Sequence, residues 1–315
     1  MNADAKAEPD PPAAPHQPAV PGGPLFELPP ELAIDTAVAR RVMVGFIRNQ
    51  LHQAGFARAL LGLSGGIDSA VVAYLVTEAI GAEMLLCVMM PYRTSSEESV
   101  EHARLVVDEL GCASEIVDIS PMVDGYFGRD RELGAGGETS RDASQLRRGN
   151  LMARQRMCVL YDRSVIWGGL VAGTGNKTES LIGYTTLFGD SASAFNPIGD
   201  LYKSQVRQVA AAVGVPEEII RKAPSADLWP GQTDEAEAGF TYPELDRLLF
   251  WMIDKRRTDE ELAAMGFPTA AIERVKRLVA ASEFKRQVPP VAKLGPRTTG
   301  VDYLYPRRRP GSARR

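Results

Sequence analysis

The chain has little of what marks secreted, membrane-spanning or nucleic-acid-binding proteins. Its three cysteines, Cys87, Cys112 and Cys158, have no CxxC spacing and lie in apolar or helical surroundings. That pattern suits reduced thiols in a cytoplasmic protein and gives neither a disulfide framework nor a metal site. No apolar run approaches the length of a membrane span, and the N-terminus lacks the basic-then-apolar order of a signal peptide. Positive charge is not in excess: 36 Lys and Arg stand against 40 Asp and Glu, a net charge of −4. The basic footprint expected of a nucleic-acid partner is therefore missing.

What is present suits a soluble α/β protein. The 315 residues are 44% hydrophobic and 24% charged, enough for one large domain or two ordinary ones. Residues 1–30 are rich in Pro and Ala and poor in large apolar groups, so they are expected to form a disordered tail. Residues 31–295 are expected to hold the domain, and 296–315 a C-terminal extension whose basic end, from Arg307 to Arg315, reads as solvated. No internal repeat is evident.

Within the domain, apolar strands alternate with helical patterns. Residues 31–54 read as an amphipathic helix with Ile34, Val38, Val42 and Phe46 on one stripe. Strands are expected at 59–63, 84–90, 115–119 and 169–173, with helices from the first of them to about Ile80 and over 96–110. The run Met84–Met90 is continuously apolar, as in a strand covered on both faces. The fold class is therefore a doubly wound, mostly parallel sheet with helices on both faces, and its ligands belong beyond the carboxyl ends of the strands. Residues 128–143 are glycine-rich and charged and read as a mobile loop, by default a solvated linker and otherwise a closing element. In the helix that follows, Arg154 and Arg156 are two apart and do not share a face.

The first strand ends in Gly62-Leu63-Ser64-Gly65-Gly66-Ile67-Asp68-Ser69. A strand, a tight glycine turn and a helix start aim unpaired backbone N–H groups and the positive end of the helix dipole at one point, which suits an anion. Gly65 and Gly66 let the backbone approach a phosphate, Ser64 and Ser69 offer hydroxyls, and Asp68 is placed to hold a metal that bridges phosphate oxygens. The loop is neither a Walker A sequence nor GxGxxG. It resembles the SGGxDS loop of the ATP pyrophosphatases, which split ATP into AMP and pyrophosphate.

Later segments narrow that resemblance to the NAD synthetases. Asn150–Met157 resembles their N-x-x-A-R-x-R-M helix, and Gly173–Glu179 looks like their G-T-x-N-K-x-E segment, followed by Gly183–Asp190. Pro197–Lys203 precedes a helix as in that family; Lys222–Leu228 with Gly231–Glu235 resembles its second flexible loop, and Phe284–Gln287 its C-terminal H-K-R-Q. The resemblance spans about residues 31–295. It implies a ligase that turns deamido-NAD, ATP and ammonia into NAD, AMP and pyrophosphate through an adenylate.

By the same resemblance, the Gly62–Ser69 loop, Ile67 included, cradles the ATP phosphates. Asp68 and Glu179 hold Mg²⁺, and Lys203 meets the phosphates. Thr174 and Ser225 contact ATP, with Ser225 in place of the commoner threonine. Arg154, Asp190, Phe284 and Lys285 belong to the deamido-NAD side. The chain departs from the bacterial pattern where Leu187 and Ala194 replace a lysine and an aspartate, and where Phe284 replaces a histidine. A homodimer is implied, to which the helix at 31–54 could contribute or which it could leave to core packing. A glutaminase domain needs about 100–200 residues before the synthetase, so free ammonia, or ammonia from a separate glutaminase, is expected.

Other enzymes share the loop. A tRNA-modifying synthetase would want a nucleophilic cysteine or a basic face, and asparagine or GMP synthetase would need other substrate motifs. A non-catalytic adenine-nucleotide module has little need for both Asp68 and Glu179.

Overall fold

The computed structural model describes residues 25–132, 141–225, 235 and 239–298; of 130–132 and 141–143 only the backbone is described. The sheet has four parallel strands, β1 (Arg58–Gly62), β2 (Leu85–Met89), β3 (Ala113–Ile116) and β4 (Gly169–Val171), in the order β3-β2-β1-β4. β2 and β4 lie on opposite sides of β1, so the strand order reverses there, and in such sheets the ligand crevice falls beyond the carboxyl ends of the strands flanking the reversal.

Alternation along the central strands splits the core into two layers. Ala59 and Leu61 of β1, with Leu85, Cys87 and Met89 of β2, pack against α1 (Thr36–Ala54), α2 (Ile67–Ile80) and α7 (Lys203–Val213). Leu60, Leu86 and Val88 face the other way, onto α4 (Ser120–Glu132) and α5 (Arg141–Trp167). Every β2 residue is buried, as its unbroken apolar run requires. Helix α3 (Glu97–Leu110) covers part of the first layer. A third apolar cluster joins α6 (Lys177–Ile182), α9 (Tyr242–Leu249), α10 (Asp259–Ala264) and α11 (Thr269–Ala281), and α8 (Glu217–Arg221) follows α7.

Several expectations shift. α1 begins at Thr36, where the Asp35 side chain accepts from the Val38 N–H. Its buried face is Met43, Val44, Ile47 and Leu51, whereas Val38 and Val42 are exposed. Of the expected stripe, Val38 and Val42 face outward, Ile34 packs on the core ahead of the helix, and Phe46 meets the buried Phe195 ring edge-on. β3 starts two residues early, because Gly111 turns left-handed at the end of α3 and feeds the chain straight into the strand. It ends early because Asp118 accepts from the Ser120 N–H where α4 begins. β4 stops at Val171, and Ala172 instead bridges to Phe195. Helices take the two ends of the expected loop at 128–143, and 133–140 lie outside the described residues. At the N-terminus, Leu25, Phe26 and Leu28 pack against the core, so the packed chain starts inside the stretch read as a tail; residues 1–24 and 299–315 lie outside the described set.

Candidate active site

Helix α2 begins at the end of the glycine turn, with Gly66 at its cap and no side-chain cap, so its first backbone N–H groups face the crevice beyond β1. Two contacts fix the turn. The Leu63 N–H donates to the Val88 carbonyl at 2.9 Å. Gly65 has φ 76°, and a Cβ there would overlap the Ser99 carbonyl oxygen of α3. Ser69 is buried; its hydroxyl donates to the Gly66 carbonyl at 3.0 Å and accepts from the Ser64 N–H at 3.2 Å. Ser64 is exposed, and its Oγ accepts from the Gly66 N–H at 3.2 Å. The two serines thus shape the turn as well as offering oxygen atoms to it. Gly62 ends β1 against Met90, and Ile67 is buried below the loop.

Asp68, in the first turn of α2, meets residues from two other helices. Its Oδ1 accepts from Asn176 Nδ2 at 3.0 Å, and its Oδ2 accepts from Lys203 Nζ. The same ammonium lies 3.5 Å from Glu179 Oε1. Lys203 is 3% exposed and stacks over the Tyr242 ring at 5.1 Å. Two carboxylates therefore converge on one cation, with most water excluded.

The order of α6 follows from its first residues. Asn176 caps the helix: its Oδ1 accepts from the Glu179 N–H at 3.0 Å, while Glu179 Oε2 accepts from the Asn176 N–H at 3.2 Å. This reciprocal box fixes the Glu179 side chain, and the amide left over on Asn176 fixes Asp68. Beneath it lies a fully buried carboxylate, Asp246 of α9. It accepts from Thr178 Oγ1 at 2.6 Å and from the N–H and hydroxyl of Ser204, both at 2.7 Å. Burial pushes the Asp246 carboxyl above its ordinary range, against the pull of those donors and of Lys203.

The resemblance singled out Asp68, Glu179 and Lys203 but not Asn176, Thr178, Ser204 or Asp246. Asn176 was findable, since an Asn three residues before a Glu at a helix start is the capping-box pattern. Asp246 carries no local sign of its partners. The remaining residues expected to contact ATP are less closely held. Thr174 is half-buried between β4 and α6, and Ser225 is exposed just before residues 226–234, which lie outside the described set. Lys222, three residues before Ser225, donates to Ser99 Oγ at 2.9 Å and so anchors that strand of chain beside the glycine turn.

The family pattern described as NAD synthase matches residues 39–289, most of the chain and all of this site. The chain belongs to the NAD synthase family. It is 51% identical to an NH(3)-dependent NAD(+) synthetase of Trichlorobacter lovleyi over 88% of this chain and 97% of that one. Among solved structures it is similar to an NH3-dependent NAD synthetase of Campylobacter jejuni, with a TM-score of 0.69 and 31% identity over 83% of this chain and 100% of that one. It is also similar to an NMN synthetase of Francisella tularensis, with a TM-score of 0.71 and 28% identity over 82% and 99% of the two chains.

In this NAD synthase family member a second group of the expected residues gathers on the segment after α6. Lys285 Nζ donates to the carbonyls of Gly183 and Thr185, both at 2.7 Å. Asp190 accepts from Thr185 Oγ1 at 2.6 Å and from the Thr186 N–H at 2.7 Å. Arg154 Nε donates to the Leu187 carbonyl at 3.3 Å, while Arg156 turns away to the Met90 carbonyl at 3.1 Å. The two arginines diverge as their spacing requires. At Leu187, where the chain departs from the family's lysine, it offers its carbonyl to Arg154; Ala194 uses its N–H to extend β4 through the Val171 carbonyl. Phe188 adopts a left-handed backbone, φ 58°, with its ring largely exposed. Phe284 is 59% exposed and stands apart from this network.

Proposed function

We propose that this chain converts deamido-NAD, ATP and ammonia to NAD, AMP and pyrophosphate. The observation that carries the reading is the convergence of Asp68 and Glu179 on one buried cation beside an uncapped helix start and a glycine turn. A carboxylate resists ammonia, because an oxide would have to leave and its charge repels a nucleophile. Transfer of AMP from ATP to the nicotinate carboxylate makes AMP the leaving group. Two anions must then be held together, so the catalytic demand is electrostatic. The α2 N–H groups and the Gly65–Gly66 backbone receive the phosphates, and Lys203 supplies a positive charge able to pass from the carboxylates to the phosphates.

The donor set fits Mg²⁺. Asp68 and Glu179 are hard oxygen ligands already drawn to one positive charge, and among the described residues no third His, Cys, Asp or Glu joins them. Two carboxylates with the remaining positions left to phosphate and water is the ligand set this ion favours. Bound there, Mg²⁺ would neutralise phosphate charge as pyrophosphate leaves.

The acid substrate is assigned to the segment 183–190, where Arg154, Asp190 and Lys285 meet. Ammonia must react as NH₃, and little of it is unprotonated at neutral pH, so a neighbouring proton acceptor is required. The nitrogen is taken as free ammonia or as ammonia handed over by a separate glutaminase. A homodimer in the cytoplasm is the expected setting; exposed Val165 and Ile166 on α5, 83% and 72% accessible, support a partner on that face, and exposed Val38 and Val42 on α1 offer another patch on the opposite side of the sheet.

The test is an assay of the purified chain with ATP and Mg²⁺ against deamido-NAD, nicotinate mononucleotide and aspartate, each with ammonium or glutamine. Stoichiometric NAD and AMP from deamido-NAD with ammonium, and none with glutamine alone, is the expected result. Preference for the mononucleotide would instead favour the activity named for the Francisella relative.

A further inference from the structure

We infer that Asp246 is a positioning residue for the reaction, acting through the two helix starts that deliver Glu179 and Lys203; this rests on the function proposed above. The residue touches neither Asp68 nor Glu179 directly. It takes one donor from Thr178, the neighbour of Glu179, and two from Ser204, the neighbour of Lys203, across separations of 68 and 42 residues. Thr178 closes the ring by accepting the Lys203 N–H on its Oγ1 at 3.0 Å. Asp246, Thr178 and Ser204 are each fully buried. Four hydrogen bonds thus lock the first turns of α6 and α7 at one relative position.

That lock sets where the carboxylate of Glu179 and the ammonium of Lys203 stand relative to Asp68. A buried polar group that serves only packing could be an apolar side chain of the same shape. Here every polar atom of the carboxylate is spent on the two segments that carry the reacting groups. Asparagine cannot substitute. With its amide toward Ser204, the Ser204 N–H loses its acceptor. With its amide toward Thr178, the Thr178 hydroxyl proton loses its own.

The test compares Asp246→Asn, Thr178→Val and Thr178→Ser with the wild type in steady-state kinetics and in acetylation of Lys203 read by mass spectrometry. Thr178→Val preserves shape and removes only the hydroxyl, so it carries the test should Asp246→Asn fail to fold. Asp246→Asn and Thr178→Val are expected to lower kcat roughly 10–100-fold, as small displacements of reacting groups do, with a smaller change in the KM for ATP. Thr178→Ser restores kcat. Lys203 acetylation, measured against exposed Lys276, rises several-fold in the first two variants. Unchanged kcat and unchanged Lys203 labelling, with only a lower melting temperature, would overturn the inference. If the wild type itself makes no NAD, the function proposal fails, and Lys203 labelling alone then decides the positioning role.

Discussion

Lys203 donates to the Asp68 carboxylate across 135 positions of chain, and that one bond joins the start of α7 to the start of α2. With Glu179 Oε1 at 3.5 Å, the lysine separates two acids that would otherwise repel. Replacing it by methionine keeps the apolar stem over Tyr242 and removes the charge. Lys203→Met should cost of order 3 kcal/mol, the scale for breaking a buried ion pair from one side. Millimolar Mg²⁺ should raise the melting temperature of this variant more than that of the wild type. Equal Mg²⁺ responses in differential scanning calorimetry would mean that the two acids do not attract a cation.

Gly65 admits no side chain, for two independent reasons. Its φ of 76° disfavours any L-residue, and a Cβ would overlap the Ser99 carbonyl oxygen. Gly65→Ala must displace α3 or the turn, and should lose about 1–3 kcal/mol together with most ATP turnover. Urea unfolding and pyrophosphate release measure the two losses separately.

Asn176 serves both acids at once, capping Glu179 and donating to Asp68. Asn176→Ala should lose about 1 kcal/mol for the cap, and more for the amide that Asp68 no longer receives. Asn176→Asp keeps the cap acceptor but sets a third carboxylate against Asp68. That repulsion should make Asn176→Asp less stable than the wild type in urea unfolding although its cap is intact. Wild-type stability in Asn176→Asp would contradict the geometry.

Burial holds the Lys285 ammonium below the ordinary lysine range, with Asp190 pulling it back up. In the alkaline interval between its folded and unfolded values, the unfolded chain binds more protons than the folded one. Stability contributed by this group therefore rises with pH through that interval, and is lowest once both states are protonated. Lys285→Met should flatten this alkaline rise. Because Lys285 also ties down the carbonyls of Gly183 and Thr185, the variant should raise the KM for deamido-NAD more than that for ATP.

The glycine-turn side of the site was legible because it is local. Strand, Ser-Gly-Gly turn, Asp68 and helix occupy one continuous stretch, and each residue type there has a stated physical reason. Continuous burial of β2 and the divergence of Arg154 from Arg156 were legible for the same reason, since strand and helix periods decide them. Which face of α1 turns inward was not legible. Val38, Val42 and Phe46 make an apolar row as regular as the buried one, and only the packing of α2 and α7 decides which turns inward, while Ile34 packs on the core from just before the helix. Asp246 was invisible, because its partners are 68 and 42 residues away and nothing in its neighbours marks the lock. α6 packs in the third apolar cluster and α7 in the first, joined at the Tyr202 cap, and local sequence does not display that meeting of clusters.

Asp68 and Glu179 are proposed to form the site at which ATP loses pyrophosphate. The direct measurement is single-turnover pyrophosphate formation from ATP and deamido-NAD, without ammonia, in Asp68→Ala, Glu179→Ala and the wild type at saturating Mg²⁺. The expected result is a wild-type burst close to one pyrophosphate per site and a rate at least ~100-fold lower in either variant, of the size seen when a preorganised charge-stabilising group is removed, with each variant still folded by circular dichroism. A full burst at the wild-type rate in either variant would contradict it.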